Sequence, residues 1–404
     1  MEMHRQSRSE LPGKVILIVD KLTLVDTKLI QICSENKMRH FFPILIVFCM
    51  IFASCATTLQ RKNEEKKEKP EPVESKYGLL VTPENVEIFE VRKGENKDFD
   101  QLFAEADSLF DSKRYDEAKK LYRQIIDDDA ENPKVPFCFY NIGLIGIKLM
   151  QWESAVENFT GAAERLSGRD KADALLNLLE SLRKTEDWER TEKLTKEITD
   201  RTDLRFTESE RREIALRHAE ALIMQGRIDE GRKLADYWRI TILKSIPRRD
   251  AVFIPELALA YYVLGRVSVK EFSDIALDES RETLEQKCQK IIDAQTQFLK
   301  SINVGIIFWT NASAYEIANL YMKLYDEMQR HRIPADLNDE EKEVYRCELW
   351  KKISNLLRKS RRTLTKSIES AKKINEENEY TEKSFELIGE IDRIYEEEEN
   401  TCRN

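Results

Sequence analysis

The amino-acid sequence predicts an all-α protein in which pairs of helices stack into an α-solenoid. Glycine (12) and proline (10) are scarce in a chain of 404 residues, so turns are few and the elements between them must be long. Charged residues make up 35% of the chain, which is typical of exposed amphipathic helices and not of sheet proteins. Packing residues also recur with a period in the mid-thirties, which indicates stacked repeats.

The net charge and the cysteine spacing argue against several kinds of partner and site. The formal net charge of −9 disfavours nucleic acid, because phosphate binding needs a concentrated cationic surface. The seven cysteines form no CxxC pair, so neither a zinc ribbon nor a thioredoxin motif is predicted. Disulfides between distant cysteines stay open, because spacing alone does not define them.

The amino terminus has the pattern of an export signal that begins at an internal methionine. Residues 41–54 contain no charge, and a basic region that includes Lys37 and Arg39 directly precedes them. This apolar run is short for a membrane span, which needs about 20 residues. Because Met38 opens the pattern better than Met1, we interpret residues 1–37 as mistranslated upstream sequence and 38–54 as the signal peptide.

The end of the apolar run, Phe52-Ala53-Ser54-Cys55, resembles the lipobox of bacterial lipoproteins. The resemblance implies that Cys55 becomes the first mature residue and carries the lipids, although Phe52 stands where the family has Leu, Val or Ile. It also implies a lipid-anchored protein of the cell envelope. No Asp follows Cys55, which in enteric-type sorting favours the outer membrane, facing the periplasm. The alternative is a buried or membrane-anchoring helix in which Cys55 is incidental.

A charged segment separates the signal from the folded part of the chain. Residues 61–76 contain two prolines, dense mixed charge and no aromatic residue, so they cannot bury enough surface to fold. We predict a disordered tether over 55–77, which would hold the folded part away from the membrane. Residues 78–98 follow as a segment that is free to pack on the solenoid.

Two consecutive helix pairs carry the clearest repeat. Ala106 and Gly143 are 37 residues apart, and so are Ala118 and Ala155. Further packing positions align in the two units: Leu109, Tyr115, Tyr122 and Ile125, then Phe139, Ile142, Trp152, Phe159 and Ala162. The pattern resembles the tetratricopeptide repeat, in which small residues let helices A and B approach and large residues fill the gap. The resemblance implies a right-handed solenoid.

The repeat weakens along the chain. A third and a fourth unit extend the repeats over 99–245, and their packing positions are Leu175, Leu178, Leu179, Trp188, Thr191, Ile198, Ala215, Ala219, Leu222, Gly226, Gly231 and Ala235. Residues 246–305 form a degenerate repeat, whose second helix, at 279–302, is longer than the pattern allows. An atypical helical extension follows over 306–404, in which we predict that Asn338 caps a long helix.

Tetratricopeptide arrays bind extended peptides or helices on the concave face, so the resemblance implies protein partners there. The predicted partner-binding residues lie on the A helices: Phe103, Asp107, Phe110, Tyr140, Leu144, Lys148, Glu180, Arg183, Lys184, Glu220 and Met224. We expect Tyr140 and Leu144 to be exposed and to form an apolar patch, because such patches usually mark partner sites. The alternative is that residues 78–92 fold back into the groove and cover it.

No catalytic or metal-binding arrangement is recognisable in the sequence. Only two histidines follow Cys55, and the chain contains no HExxH motif, no GxSxG elbow and no phosphate-binding loop. We interpret His218 as an interior histidine of a repeat helix, and Cys138, Cys288 and Cys347 as core residues. The sequence therefore predicts a non-enzymatic protein that needs no cofactor, metal or small-molecule substrate.

Three functions stay open. The favoured interpretation is a membrane-anchored scaffold of the bacterial cell envelope that assembles a secretion, pilus or motility complex. The second is a cell-wall-processing factor or other enzyme, since acidic residues are too numerous to exclude a catalytic pair by counting. The third is a cytoplasmic adaptor, which requires that residues 41–54 are not an export signal.

Overall fold

The computed structural model describes residues 97–245, 253–278, 281–331 and 337–402. These ranges contain thirteen α-helices and no β-strand, which confirms the all-α fold class. The chain divides into two units, the first ending at Ile242 and the second beginning at Leu243. None of the helices in the described ranges is both long and apolar enough to cross a membrane. The predictions for the signal peptide, Cys55, the tether and residues 78–96 lie outside the described residues.

The first unit consists of four consecutive helix pairs. Its helices are α1 (Lys97–Asp111), α2 (Tyr115–Asp128), α3 (Val135–Lys148), α4 (Trp152–Arg165), α5 (Gly168–Lys184), α6 (Trp188–Thr199), α7 (Glu208–Met224) and α8 (Ile228–Ser245). Along α1 to α7, each helix packs on the next in the chain, as expected when neighbours must share one continuous core. Helix α8 ends at Ser245, so the division between the two units falls within its last turn.

The turn between helices A and B has the same conformation in all four pairs. Three residues join the helices of every pair, and the central one has a left-handed backbone: Lys113, Met150, Glu186 and Gly226, with φ of 60°, 55°, 56° and 85°. The residue after it donates its backbone N–H to the carbonyl five residues earlier, over 2.9, 2.7, 3.0 and 2.9 Å. This Schellman arrangement satisfies carbonyls at the end of helix A and fixes the direction in which helix B leaves.

Small residues bring the two helices of a pair together, as the sequence predicted. A Cβ atom placed on Gly143 would lie 2.8 Å from the ring of Phe159, and one on Gly231 would lie 2.6 Å from the carbonyl oxygen of Ala219. Ala118 and Ala155, at the matching place in earlier pairs, are fully buried. The close approach leaves no room for a larger residue, so these positions specify the pairing of the helices.

The second unit contains the five remaining helices of the described chain. They are α9 (Pro255–Asp274), α10 (Arg281–Val304), α11 (Ile307–His331), α12 (Asp339–Lys373) and α13 (Glu379–Cys402). Helix α9 pairs with α10 through Gly265, where a Cβ would lie 2.5 Å from the ring of Phe298. Helix α12 packs on α11, and α13 packs on both. Asn338 caps α12 and forms a capping box with Glu341, which confirms the predicted cap.

One cysteine prediction is wrong. Cys347, interpreted above as a core residue, forms a disulfide with Cys402, across a Cα–Cα distance of 5.4 Å. The bond joins the beginning of α12 to the end of α13. Sequence spacing did not reveal it, because the two residues are 55 positions apart and meet only when α13 folds back along α12. Cys138 and Cys288 are buried free thiols, as predicted.

We expect Gly143→Val to destabilise the first unit by roughly 1–3 kcal/mol, because the ring of Phe159 is fully buried and cannot move away. Chemical denaturation followed by circular dichroism measures this change. The added Phe159→Leu substitution should recover part of the loss. Gly389→Ala is the control: no atom lies within 4 Å of its added Cβ, so stability should stay unchanged or rise. Equal effects at both glycines would contradict the close packing described.

Candidate partner-binding surface

The predicted apolar patch on the A helices does not exist. Tyr140 is fully buried and Leu144 is 7% exposed, so the expectation that they face solvent is wrong. Tyr140 packs edge-on against Phe159 at 5.5 Å between ring centroids, and its hydroxyl accepts a hydrogen bond from Asn177 Nδ2 on α5, 3.2 Å away. Helix α3 is buried on almost all sides, whereas the prediction assumed that one face was free.

The other predicted residues also differ in exposure. Phe103, Phe110, Arg183 and Glu220 are buried. Asp107, Glu180, Lys184 and Met224 are intermediate, and Lys148 is exposed. Phe103 packs on Tyr122 and Phe110 on Tyr115, each at 5.6 Å between ring centroids, so both phenylalanines belong to the core of the first pair. The surface that these residues offer to a partner is therefore polar and charged rather than apolar.

A polar contact joins the first two A helices. Asp107 Oδ1 on α1 accepts hydrogen bonds from the hydroxyl of Tyr122 and from Asn141 Nδ2 on α3, the latter at 3.2 Å. Burial raises the pKa of Asp107 to about 6, even though the hydrogen bond from Tyr122 opposes the rise. The carboxyl thus holds its proton up to mildly acidic pH, and three helices meet at one titratable group.

Arg169 joins the third and fourth A helices. From α5 it binds Glu210 at the start of α7 through both terminal nitrogens, at 2.8 and 2.7 Å. The same guanidinium also reaches Asp173, one turn further along α5. Glu210 closes the capping box of α7 with Thr207, so a single carboxylate both caps the helix and binds the neighbouring one.

Six alternating charges lie between α5 and α7, and we call them the charged cluster: Glu180, Arg183, Lys184, Glu213, Arg217 and Glu220. At its centre, Arg217 lies 3.0 Å from Glu220, 3.3 Å from Glu213 and 3.7 Å from Glu180. Glu180 in turn pairs with Arg183 at 2.8 Å and with Lys184 at 3.7 Å. The side chain of Arg217 is only 2% exposed, so these charges interact largely out of water.

The charged cluster is stable only as a unit. Burial alone would raise the pKa of Glu180, but Arg183 and Arg217 outweigh it and hold the pKa well below its usual range. Burial and Arg183 would lower the pKa of Arg217, yet the carboxylates of Glu220, Glu180 and Glu213 keep it raised. The cluster contains three acidic and three basic side chains, so the two kinds of charge are equal in number. Such an array of ion pairs orients α5 and α7 relative to each other without a strong net field.

Four of the predicted residues thus belong to the charged cluster, but its central cation, Arg217, was not predicted. Glu180, Arg183, Lys184 and Glu220 were predicted as separate contributions of two repeats, but Arg217 joins them. The available signal was the spacing of Glu213, Arg217 and Glu220 at steps of four and three residues, which places all three on one face of a helix. On that helix, Glu220 and Met224 were predicted to contact a partner, while Glu213 and Arg217 were not considered.

His218 is half-buried, with its Nδ1 2.9 Å from Thr195 Oγ1, and burial lowers the pKa of the imidazole. Within the described ranges, no group of three or more His, Cys, Asp or Glu side chains is placed to hold a metal ion.

The chain matches no protein-family model and no curated protein sequence. Among solved structures, the C-terminal part of a TPR repeat-containing protein from Cytophaga hutchinsonii is 12% identical over 74% of this chain and 98% of that one, with a TM-score of 0.35. A tetratricopeptide repeat protein from Parabacteroides merdae is 12% identical over 72% and 98%, again with a TM-score of 0.35. A human IFIT1 dimer with m7Gppp-AAAA is 13% identical over 70% and 60%, with a TM-score of 0.34.

With such low scores, the tetratricopeptide-like fold of this chain rests on its own helix pairs, through their common turn and their small-residue contacts. The capped RNA is a ligand of IFIT1. For this chain, the net charge predicts that nucleic acid is not a partner, and this stays a prediction.

We expect Arg217→Met to destabilise the first unit by about 3–5 kcal/mol, because it leaves three buried or half-buried carboxylates near one another without their common cation. Thermal unfolding at pH 7 measures the loss, which should shrink at a pH low enough to protonate the carboxylates. Arg212→Met on the same helix is the matched control. Arg212 pairs with Glu208, whose side chain is 68% exposed, so about 0.5 kcal/mol or less is expected. Similar losses in both variants would contradict the role of the charged cluster.

Proposed function

We propose that this chain is a lipid-anchored scaffold of a bacterial cell envelope, attached through Cys55 and assembling a secretion, pilus or motility complex. Its tetratricopeptide-like fold is that of a protein-interaction scaffold, which supports protein partners in general. The lipobox-like end of residues 41–55 supports the anchor, and an outer-membrane location facing the periplasm follows from the residue after Cys55.

The disulfide between Cys347 and Cys402 is the observation that carries the proposed location. Disulfides persist in exported proteins, while the cytosol keeps thiols reduced. A cytoplasmic adaptor would place this pair in a compartment where the bond does not last. The two ends of the chain therefore favour the same compartment by independent chemistry, a cleavable apolar signal at one end and an oxidised cysteine pair at the other.

Partner contact on the first unit is proposed for the charged parts of the A helices. Tyr140 and Leu144 are buried in the core, so an apolar peptide has no patch to enter there. Lys148 is exposed at the end of α3, and Asp107 is partly exposed on α1. Residues of this kind suit a partner segment that carries its own charges or hydrogen-bonding groups.

Cells that express the full chain should incorporate radiolabelled palmitate into it, and Cys55→Ala should abolish the label and release the protein from the membrane fraction. Cys49→Ala is the matched control, because Cys49 lies in the same apolar run but not at the lipobox-like end. Label that persists in Cys55→Ala, or that disappears with Cys49→Ala instead, would contradict the anchor.

The oxidation state of Cys347 and Cys402 should depend on export. Rapid alkylation of cell extracts, followed by nonreducing electrophoresis, should find the pair oxidised in the full chain and reduced when residues 1–55 are deleted. Oxidised protein should also unfold at higher denaturant than reduced protein, since closing a loop of this length adds about 4 kcal/mol in the chain-entropy account. If Cys347 and Cys402 are reduced in the exported, full-length protein, the proposed location is wrong.

A further inference from the structure

Helices α12 and α13 carry strongly opposite charges. Residues 351–373 of α12 include nine Lys or Arg side chains against a single acidic one, Glu369. Residues 379–402, which form α13, include nine Asp or Glu side chains against two basic ones, Lys383 and Arg393. This separation occurs within one pair of helices in a chain whose overall balance is only −9.

The basic residues of α12 form a stripe on the side that faces away from the core. The basic stripe consists of Lys351, Arg358, Arg362, Lys366 and Lys373, all exposed. At 100° per residue these five positions fall within about 80° of the helix circumference and extend for about 33 Å along it. Leu357, Leu364 and Ala371, which are fully buried, lie on the opposite side.

The acidic residues of α13 form a matching stripe. The acidic stripe consists of Glu382, Glu386, Glu390 and Glu397, all exposed. They likewise fall within about 80° of the circumference and extend for about 22 Å. Ser384 and Ile391, fully buried, lie on the opposite side of α13.

Each stripe contains one exposed residue of the opposite charge, Glu369 within the arc of the basic stripe and Arg393 within the arc of the acidic one, so the basic stripe keeps a net positive charge and the acidic stripe a net negative charge. Arg362, Lys366 and Lys373 form no ion pair with another described residue, and neither do Glu386 and Glu390. The salt bridge between the two helices comes from residues outside the stripes, Arg361 and Asp392, at 2.6 and 2.9 Å.

The relative position of the two stripes is fixed. The disulfide of Cys347 and Cys402 ties one end of the helix pair, and the Arg361–Asp392 salt bridge holds its middle. Tyr395 of α13 also donates a hydrogen bond to the carbonyl of Ser354 on α12 and packs on Trp350 at 4.8 Å between ring centroids. The two helices are therefore held rigidly against each other, and their outer surface carries a positive stripe on α12 and a negative stripe on α13.

We propose that this surface binds a second copy of the same chain, with the basic stripe of each copy on the acidic stripe of the other. A twofold axis makes both contacts at once, because an isologous interface is reciprocal. An anionic lipid surface would attract α12 but repel the adjacent α13, and an acidic partner would leave α13 unused. A second copy is the occupant that uses both stripes. The exposed side chains of Val344 and Phe385 add apolar area at opposite ends of the helix pair.

The expected association is weak and sensitive to salt. Two adjacent helices about 10 Å wide and 20–30 Å long present on the order of 500 Å² per copy, at the small end of specific interfaces. Ion pairs dominate it, so the effect of salt screening should be large. The proposal does not depend on the lipid anchor, since it concerns only residues of α12 and α13.

The test uses two full-length copies with different affinity tags, extracted together in detergent, and measures how much of one is recovered with the other. Wild-type copies should copurify at about 50 mM salt and much less at about 500 mM. Arg362→Glu with Lys366→Glu should lower recovery about tenfold, and so should Glu386→Lys with Glu390→Lys. Lys120→Glu with Arg123→Glu, an equal charge change at two exposed positions of α2, should leave recovery unchanged.

Charge exchange separates this proposal from simple repulsion. A copy with Arg362→Glu and Lys366→Glu should copurify with a copy that carries Glu386→Lys and Glu390→Lys. Two copies that both carry all four substitutions should also copurify. Failure of wild-type copies to copurify would overturn the proposal, and so would failure of the exchanged pair. Binding of the wild type, but not of Arg362→Glu with Lys366→Glu, to anionic phospholipid vesicles without copurification would assign the basic stripe to a membrane surface instead.

Discussion

The organisation of the first unit depends on one turn, repeated four times. In each pair the residue in the left-handed conformation lets the next N–H reach back five residues, and this hydrogen bond sets the angle between helices A and B. Only Gly226 adopts this conformation without steric cost; Lys113, Met150 and Glu186 accept about 1–2 kcal/mol each. The strain persists because packing beyond the turn holds the helices together, through Ala118, Ala155 and Gly231 in three of the pairs, so turn and packing support each other.

Successive pairs are joined by polar contacts between their A helices. Asp107 contacts Asn141, Tyr140 contacts Asn177, and Arg169 and the charged cluster connect α5 to α7. These contacts are directional, unlike apolar packing, and they place each pair at one rotation relative to the last. A solenoid that relied on apolar residues alone would leave this rotation less defined. Most of these polar side chains are buried between the helices, so their main effect is on the arrangement of the pairs.

Much of the fold could be predicted from the sequence, because the packing of a helix pair requires particular residue types at short, regular spacings. The 37-residue spacing of small residues, the packing of Phe159 and Ala155, and the cap at Asn338 are all short-range consequences of helix geometry. Exposure of the candidate site was predicted wrongly for Tyr140 and Leu144, because burial depends on the neighbouring helices, as the contacts of Tyr140 with Phe159 on α4 and Asn177 on α5 show. The disulfide and the central role of Arg217 were missed for a related reason: both arise from contacts between helices that are distant in the chain.

The disulfide has a mechanical consequence for any force that is applied to the carboxy terminus. A pull on the carboxy terminus passes through the sulfur atoms of Cys402 and Cys347 directly into the beginning of α12. The 54 residues between them lie outside the path of the load, so roughly 180–190 Å of extended chain stays hidden as long as the bond is intact. Reduction would release this length and turn a stiff terminus into an extensible one.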